Sequence, residues 1–104
     1  MPLAATGSVD GSIAIWDVST LRLRHAVSHD DAVTKLQWHA NTPLFTSVSA
    51  DRTVRCWDGR TGAMRLQRSG HQDTILDLAV SRDGTRIVTA SDDGTCLVFK
   101  GVEP

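Results

Sequence analysis

The most informative segment of the sequence, Ser47 to Asp58, reads Ser-Val-Ser-Ala-Asp-Arg-Thr-Val-Arg-Cys-Trp-Asp. In it, Asp51 follows the leading hydroxyl by four positions, and Trp57 follows Asp51 by six. The same pattern lies 41 residues earlier and 42 residues later, at Thr6, Asp10, Trp16 and at Thr89, Asp93, Phe99. A period of this length indicates a row of similar supersecondary units, which stack because none buries its apolar face alone.

A histidine leads two of the three units, His29 and His71, and these are also 42 residues apart. In the first unit the corresponding position would precede Met1. The third unit departs from the pattern at its end, because Phe99-Lys100 stands where the others have Trp-Asp.

Alternation of apolar and polar residues predicts strands throughout and no amphipathic helix of useful length. For the second unit we expect four strands, at residues 33–38, 44–48, 53–57 and 64–68. For the third we expect three, at residues 75–80, 86–90 and 95–99. Asp10-Gly11 and Asp93-Gly94 are strong hairpin signals, because a type I′ turn needs positive φ at both central residues. Arg52 occupies the glycine position of the second unit, so its turn should be strained or of another type.

A period near 42 residues, four strands per unit and a Trp-Asp ending are typical of WD40 β-propellers, which this chain resembles along its whole length. The resemblance implies an all-β fold with about two and a half four-stranded antiparallel blades of a seven-bladed propeller. Residues 1–28 would form an incomplete blade, 29–69 a complete one, and 70–104 a last blade without its outer strand. Two blade faces would then be exposed, so we expect weak stability and self-association.

The repeated polar residues resemble a Ser-His-Asp triad, but the resemblance to WD40 repeats implies a structural role. There, tryptophan, hydroxyl, histidine and aspartate form a hydrogen-bonded chain, and each has the donors and acceptors for it. A single active site is also not repeated in every unit, and no nucleophile elbow is present. We therefore predict no enzyme activity and no catalytic residue. The predicted structural set is His29, Ser47, Asp51, Trp57, His71, Thr89, Asp93, Thr6, Asp10 and Trp16.

Composition excludes several other classes. The net charge is −1 and both signs are spread along the chain, which argues against direct nucleic-acid binding. No apolar run approaches the roughly 20 residues of a membrane span. The histidines and cysteines lack metal-ligand spacing, so we expect no metal and no cofactor. We predict that Cys56 and Cys96 are buried, reduced thiols of a cytoplasmic or nuclear protein.

Function must then come from the surface, and loops held by rigid blades carry recognition. The loops after the histidines and the turns around the aspartates should meet on one rim. Its candidate binding residues are Asp30, Asp31, Arg52, Gln72, Asp73, Thr74 and Asp92. This mainly acidic rim predicts a non-catalytic scaffold for other proteins or peptides, such as a basic peptide of a ribosomal protein. The alternative is a cytoplasmic adaptor in signalling or cell migration.

Overall fold

The computed structural model describes residues 2–102 and contains ten strands in three antiparallel sheets. The first sheet is β1 (Leu3–Gly7), β2 (Ser12–Asp17) and β3 (Arg22–Ser28). The second is β4 (Val33–Trp38), β5 (Leu44–Ser49), β6 (Thr53–Asp58) and β7 (Met64–Ser69). The third is β8 (Ile75–Val80), β9 (Arg86–Ser91) and β10 (Cys96–Lys100). The all-β propeller-like architecture is confirmed, and each of the seven predicted strands agrees within one residue at either end. Met1 and residues 103–104, at the ends of the predicted blade ranges, lie outside the described residues.

Each sheet is a meander in which consecutive strands pair. Tight turns make this pairing of consecutive strands possible. Gly11 and Gly94 lie in two of these turns, with the positive φ values of 91° and 83° that tight hairpin turns require. Arg52 takes the equivalent place with φ at 71°, a left-handed conformation that costs a non-glycine residue roughly 1–2 kcal/mol. The expected strain in this turn is therefore present.

The core lies between the sheets and consists of two apolar clusters. Ile13 and Ile15 of the first sheet pack against Phe45 and Trp57 of the second. Val48 and Val54 of the second sheet pack in the same way against the third sheet, whose contributions are Ile75, Leu78 and Ile87. Burial of these side chains is the main favourable term that joins the sheets.

The two faces of a sheet thus have different partners, and we name them by direction along the chain. The downstream face points to the next sheet and carries Ile13 and Ile15 in the first sheet and Val54 in the second. The upstream face points to the preceding sheet and carries Phe45 and Trp57. Pairing places Trp16 on the upstream face of the first sheet, opposite Ala4, and places Cys96 and Val98 on the downstream face of the third.

The prediction that both cysteines are buried is wrong for one of them. Cys56 is fully buried, whereas Cys96 is exposed. Cys96 corresponds by the 42-residue period to Val54, which is 1% exposed because the third sheet covers it. Within residues 2–102, no sheet covers the downstream face on which Cys96 lies.

The second and third sheets are also joined by a hydrogen bond between their first strands, β4 and β8. β4 has a register irregularity between Val33 and Lys35, and β8 has one between Ile75 and Asp77. The intervening Thr34 donates its hydroxyl to the Val48 carbonyl of its own sheet and to the Ile75 carbonyl of the next. The equivalent residue of the third sheet is Leu76, which has no such donor and is 48% exposed.

Residues 2–102 contain no apolar helix of bilayer-spanning length.

Candidate functional site: hydrogen-bonded tetrads and an acidic rim

In the second sheet, four side chains form a continuous hydrogen-bonded chain, which we call the tetrad. The Trp57 indole donates to Ser47 Oγ over 2.8 Å, and Ser47 Oγ lies 2.6 Å from His29 Nε2. His29 Nδ1 lies 2.9 Å from Asp51 Oδ2. Because the carboxylate can only accept, Nδ1 carries the proton, and Nε2 accepts from the serine hydroxyl. His29, Ser47 and Trp57 are at most 5% exposed, so each polar atom is satisfied away from water.

The third sheet repeats three of the four members. His71 Nε2 lies 2.6 Å from Thr89 Oγ1, and His71 Nδ1 lies 3.3 Å from Asp93 Oδ2. Phe99 takes the place of the tryptophan, with its ring centroid 6.4 Å from that of His71; the corresponding Trp57–His29 distance is 6.3 Å. The ring position is therefore retained while the indole donor is lost.

The first sheet has the tryptophan, hydroxyl and aspartate positions, but the structure brings only two of them together. Trp16 donates to Thr6 Oγ1 over a longer 3.4 Å. Asp10 is engaged instead by Ser12, whose hydroxyl donates to Asp10 Oδ1 over 2.6 Å. Trp16 is 37% exposed, against 5% for Trp57.

Two further hydroxyls in each unit belong to the network and were missed in the sequence. In the second sheet, Thr53 donates its hydroxyl to Asp51 Oδ1 over 2.6 Å, and the Asp51 amide donates to Ser49 Oγ over 3.0 Å. Ser49 Oγ donates in turn to the Ala32 carbonyl over 2.7 Å. The third sheet repeats these bonds with Ser91 and Thr95. The signal was available, because the pattern Ser-x-Asp-x-Ser/Thr recurs at residues 8–12, 49–53 and 91–95.

These contacts shift the pKa values of Asp51, His29 and Asp93. Burial raises the pKa of Asp51, but hydrogen bonds from Thr53, the Asp30 amide and His29 outweigh it and bring the pKa to about 2. Burial lowers the pKa of His29 below its ordinary 6.5, and Asp51 offsets only part of this effect. Hydrogen bonds, above all from the Thr95 hydroxyl, lower the pKa of Asp93. An ionised carboxylate beside a neutral imidazole is thus the stable state of the second tetrad.

The geometry supports a structural role for the side chains of the tetrad. Ser47 is fully buried and its oxygen already contacts Trp57 and His29, so it has no open side at which a substrate carbonyl could approach. No three histidine, cysteine, aspartate or glutamate side chains within residues 2–102 gather as metal ligands would.

The tetrad carboxylates hold the loops that form the rim. Asp51 Oδ2 accepts the backbone N–H of Asp30 over 3.0 Å, and Asp93 Oδ2 accepts that of Gln72 over 2.9 Å. Each loop continues into an aspartate whose Oδ1 accepts the next amide over 2.7 Å, namely Asp31 and Asp73. The loops at the heads of the second and third sheets are therefore fixed in the same way, from the tetrad outward.

The rim side chains face solvent. All of the candidates except the half-buried Thr74 are exposed, and the side chain of Asp30 is 91% exposed. Arg55, absent from the prediction, reaches this region from β6 and donates to the Ser28 carbonyl over 2.7 Å. Its guanidinium lies 4.0 Å from Asp30 and 3.9 Å from Asp51, so it balances part of the local negative charge.

At the edge of the sheets opposite the acidic rim lies a cavity of about 430 Å³ beside Trp38. It is lined also by Pro43, Asn41 and Arg60. Trp38 packs on Phe45 with ring centroids 4.9 Å apart, at the junction of the first and second sheets. Arg60 is paired with the buried Asp58 over 3.2 Å. Trp38 thus lies between the first and second sheets.

Comparison with known proteins agrees with this architecture. Angio-associated migratory cell protein of dog is 44% identical over 99 residues, 95% of this chain and 23% of that protein. An uncharacterised WD repeat-containing protein of Schizosaccharomyces pombe is 40% identical over 95% of this chain and 25% of its own length. The similarity to the first of these proteins therefore extends over nearly the whole chain. The chain spans about a quarter of the length of the curated relatives it matches.

Among solved structures, Chaetomium thermophilum Sqt1 bound to the N-terminus of the ribosomal protein L10 superposes with a TM-score of 0.89. It is 34% identical, and the match covers 96% of this chain and 29% of that one. The computationally designed Ika8 protein superposes with a TM-score of 0.83 at 26% identity, over 94% of this chain and 30% of that one. The family model described as WD domain, G-beta repeat matches residues 1–17, 21–58 and 64–100. With the tetrads and the three meander sheets, these matches show that the chain belongs to the WD40 repeat family.

Proposed function

We propose that the chain is part of a protein-interaction scaffold whose acidic rim binds a basic peptide segment. WD40 repeats are a binding architecture, and the chemistry of the surface must decide what is bound. The rim carries Asp30, Asp31, Asp73 and Asp92 against the single cation of Arg52, and Arg55 is mostly buried beneath it. A cationic peptide would find complementary charge over two neighbouring loops.

The observation that carries the proposal is the fixed geometry of these loops. Asp31 and Asp73 each accept the next amide with Oδ1, which restrains their side chains, and both residues are exposed. The loop amides before them are held by Asp51 and Asp93. A partner then loses less free energy in ordering the site, which is the general benefit of a preorganised surface.

A solved relative supports a peptide as the type of ligand. Sqt1 was crystallised with the N-terminus of the ribosomal protein L10, and this chain matches 29% of that structure. We infer that an N-terminal segment of a ribosomal protein is the partner to test first. Charge complementarity should affect the association rate and specificity more than the final affinity.

The test measures binding of a synthetic peptide corresponding to the N-terminus of L10, by calorimetry or fluorescence anisotropy, at low and high salt. Asp31→Lys combined with Asp73→Lys should weaken binding about tenfold at low salt, because two exposed attractions become repulsions of modest size each. High salt should reduce the difference, since these charges are screened.

The matched control is Asp83→Lys, which makes the same type of charge change in the exposed turn after β8, at the opposite edge. It should leave the affinity nearly unchanged, and circular dichroism should show that all variants retain their strands. Binding that survives high salt and is equally affected by all three substitutions would contradict the rim site. An adaptor that uses other faces would then be the better hypothesis.

A further inference from the structure

Arg52 occupies a position of the rim at which the other two units have glycine, Gly11 and Gly94. Its φ of 71° lies in the left-handed region, which a residue with a side chain adopts only with backbone strain. Glycine adopts the same conformation freely. A glycine at position 52 would therefore relieve the strain in this turn.

The turn of the first sheet shows a second disadvantage of the arginine. There the His29 amide donates to the Gly11 carbonyl over 2.8 Å, which joins that turn to the loop at the head of the second sheet. A Cβ on Gly11 would lie 2.5 Å from the His29 carbonyl oxygen, so this close approach requires glycine. By the repeat, the corresponding bond would run from the His71 amide to the Arg52 carbonyl. Within residues 2–102 no such bond forms.

The side chain of Arg52 makes no contact that would compensate for these two losses. It is exposed, and its guanidinium has neither a hydrogen bond nor an ion pair in the described part of the chain. Arg60, by contrast, pairs with the buried Asp58 over 3.2 Å. The guanidinium of Arg52 is therefore available to a partner, and it does not stabilise the described sheets.

Arg52 lies between the two acidic loops of the rim. Its turn contacts the loop at the head of its own sheet, because the Ala50 amide donates to the Ala32 carbonyl over 2.9 Å. By the repeat, the turn also faces the loop at the head of the third sheet, as the first turn faces the loop of the second. Asp31 and Asp73 belong to these two loops. A segment that pairs its cations with both aspartates must therefore pass the guanidinium of Arg52.

We propose that Arg52 determines specificity by pairing with one acidic side chain that stands between the basic side chains of the bound segment. This inference rests on the proposed function of the rim. A segment of uniform positive charge would place a cation against Arg52, and such a repulsive contact rejects wrong partners. A carboxylate at that point can instead accept the bidentate pair that guanidinium geometry favours. The order of charges expected in the partner is basic, acidic, basic.

The test is a substitution scan of a lysine-rich synthetic peptide, measured by fluorescence anisotropy with the full chain at low salt. Each position is replaced in turn by serine and by aspartate, so the two peptides of a pair differ by one charge. At one internal position, aspartate should bind the wild-type chain about threefold more tightly than serine, as expected of an exposed ion pair. At the other positions aspartate should bind more weakly, because it faces the rim carboxylates.

Arg52→Gly should abolish the preference for aspartate and bind the unsubstituted lysine-rich peptide more tightly. The same variant should unfold at a higher urea concentration, because the turn loses its strain. Leu21→Gly is the matched control, since Leu21 has a φ of 60° and is 81% exposed in the turn after β2, at the opposite edge. This control should also raise the urea midpoint, but it should leave the peptide scan unchanged.

The outcomes separate this inference from the proposed function of the rim. A peptide that needs Asp31 and Asp73 but gains from aspartate at no position would overturn the role of Arg52 alone. So would a gain from aspartate that persists in Arg52→Gly, or an Arg52→Gly variant less stable than the wild type. If the chain with both Asp31→Lys and Asp73→Lys binds the lysine-rich peptide as well as the wild type does, the rim is not the binding site.

Discussion

The second and third sheets carry the same histidine, hydroxyl and aspartate in the same register, but differ in the aromatic residue that completes the set. Trp57 donates to Ser47, whereas Phe99 occupies the same place without a donor. Both sheets form with His–hydroxyl distances of 2.6 Å. The apolar ring and the polar chain therefore contribute separately. The fold tolerates the loss of one hydrogen bond when no acceptor is left without any partner.

The largest expected effect comes from removing the central hydroxyl of each set. Ser47→Ala leaves both the Trp57 indole N–H and His29 Nε2 without their partner, and each such buried group costs about 1–3 kcal/mol. Thr89→Val is the matched change in the third sheet and affects only His71. Urea unfolding should show a larger loss of the free energy of unfolding for Ser47→Ala. Equal losses would mean that the indole bond contributes nothing.

The next largest expected effect is a loss of stability in acid that comes from the tetrad of the second sheet. The pKa of Asp51 is about 2 in the folded chain and ordinarily 3.8, so the unfolded chain binds this proton first as the pH falls. The ionised carboxylate therefore contributes stability that is complete above about pH 4 and is lost as the pH falls towards 2. The pKa difference corresponds to about 2 kcal/mol.

Acid titration followed by circular dichroism should show this loss in the wild-type chain and a shallower slope in Asp51→Asn. The slope of the Thr89→Val variant should match that of the wild type, because its substitution leaves Asp51 untouched. An unchanged slope in Asp51→Asn would assign the acid sensitivity to other carboxylates.

The smallest expected effect is an increase in the free energy of unfolding. Phe99→Trp introduces an indole donor at the ring position where Trp57 contacts Ser47, so it should add one hydrogen bond to Thr89. The expected increase in the free energy of unfolding is about 1 kcal/mol. Hydrogen exchange of the new indole proton provides a direct measurement, because protection shows that the bond has formed. A destabilised variant would mean that the half-buried pocket around Phe99 is too small for the larger ring.

The positions of the strands and of the tetrads could be predicted from the sequence because both follow from local patterns repeated three times. Alternation and Asp-Gly turns define each strand, and the 42-residue period aligns residues that meet across a sheet. Burial of Cys96 was predicted wrongly, since burial depends on the neighbouring sheet rather than on the strand itself. The contact of Arg55 with the Ser28 carbonyl was beyond prediction for the same reason. Ser49 and Thr53 could have been found from the repeat, because their spacing to Asp51 recurs in each unit.

The hydroxyl of Thr34 has a consequence for how the sheets stack. Apolar contact between two flat faces favours closeness but permits sliding, because the attraction has no direction. A directional bond from Thr34 to the Ile75 carbonyl sets the height of the third sheet relative to the second. That height in turn sets the spacing between Asp31 and Asp73 on the rim. Leu76 cannot donate such a bond, so position 76 offers no hydroxyl to set the height of a sheet packed on the downstream face of the third sheet.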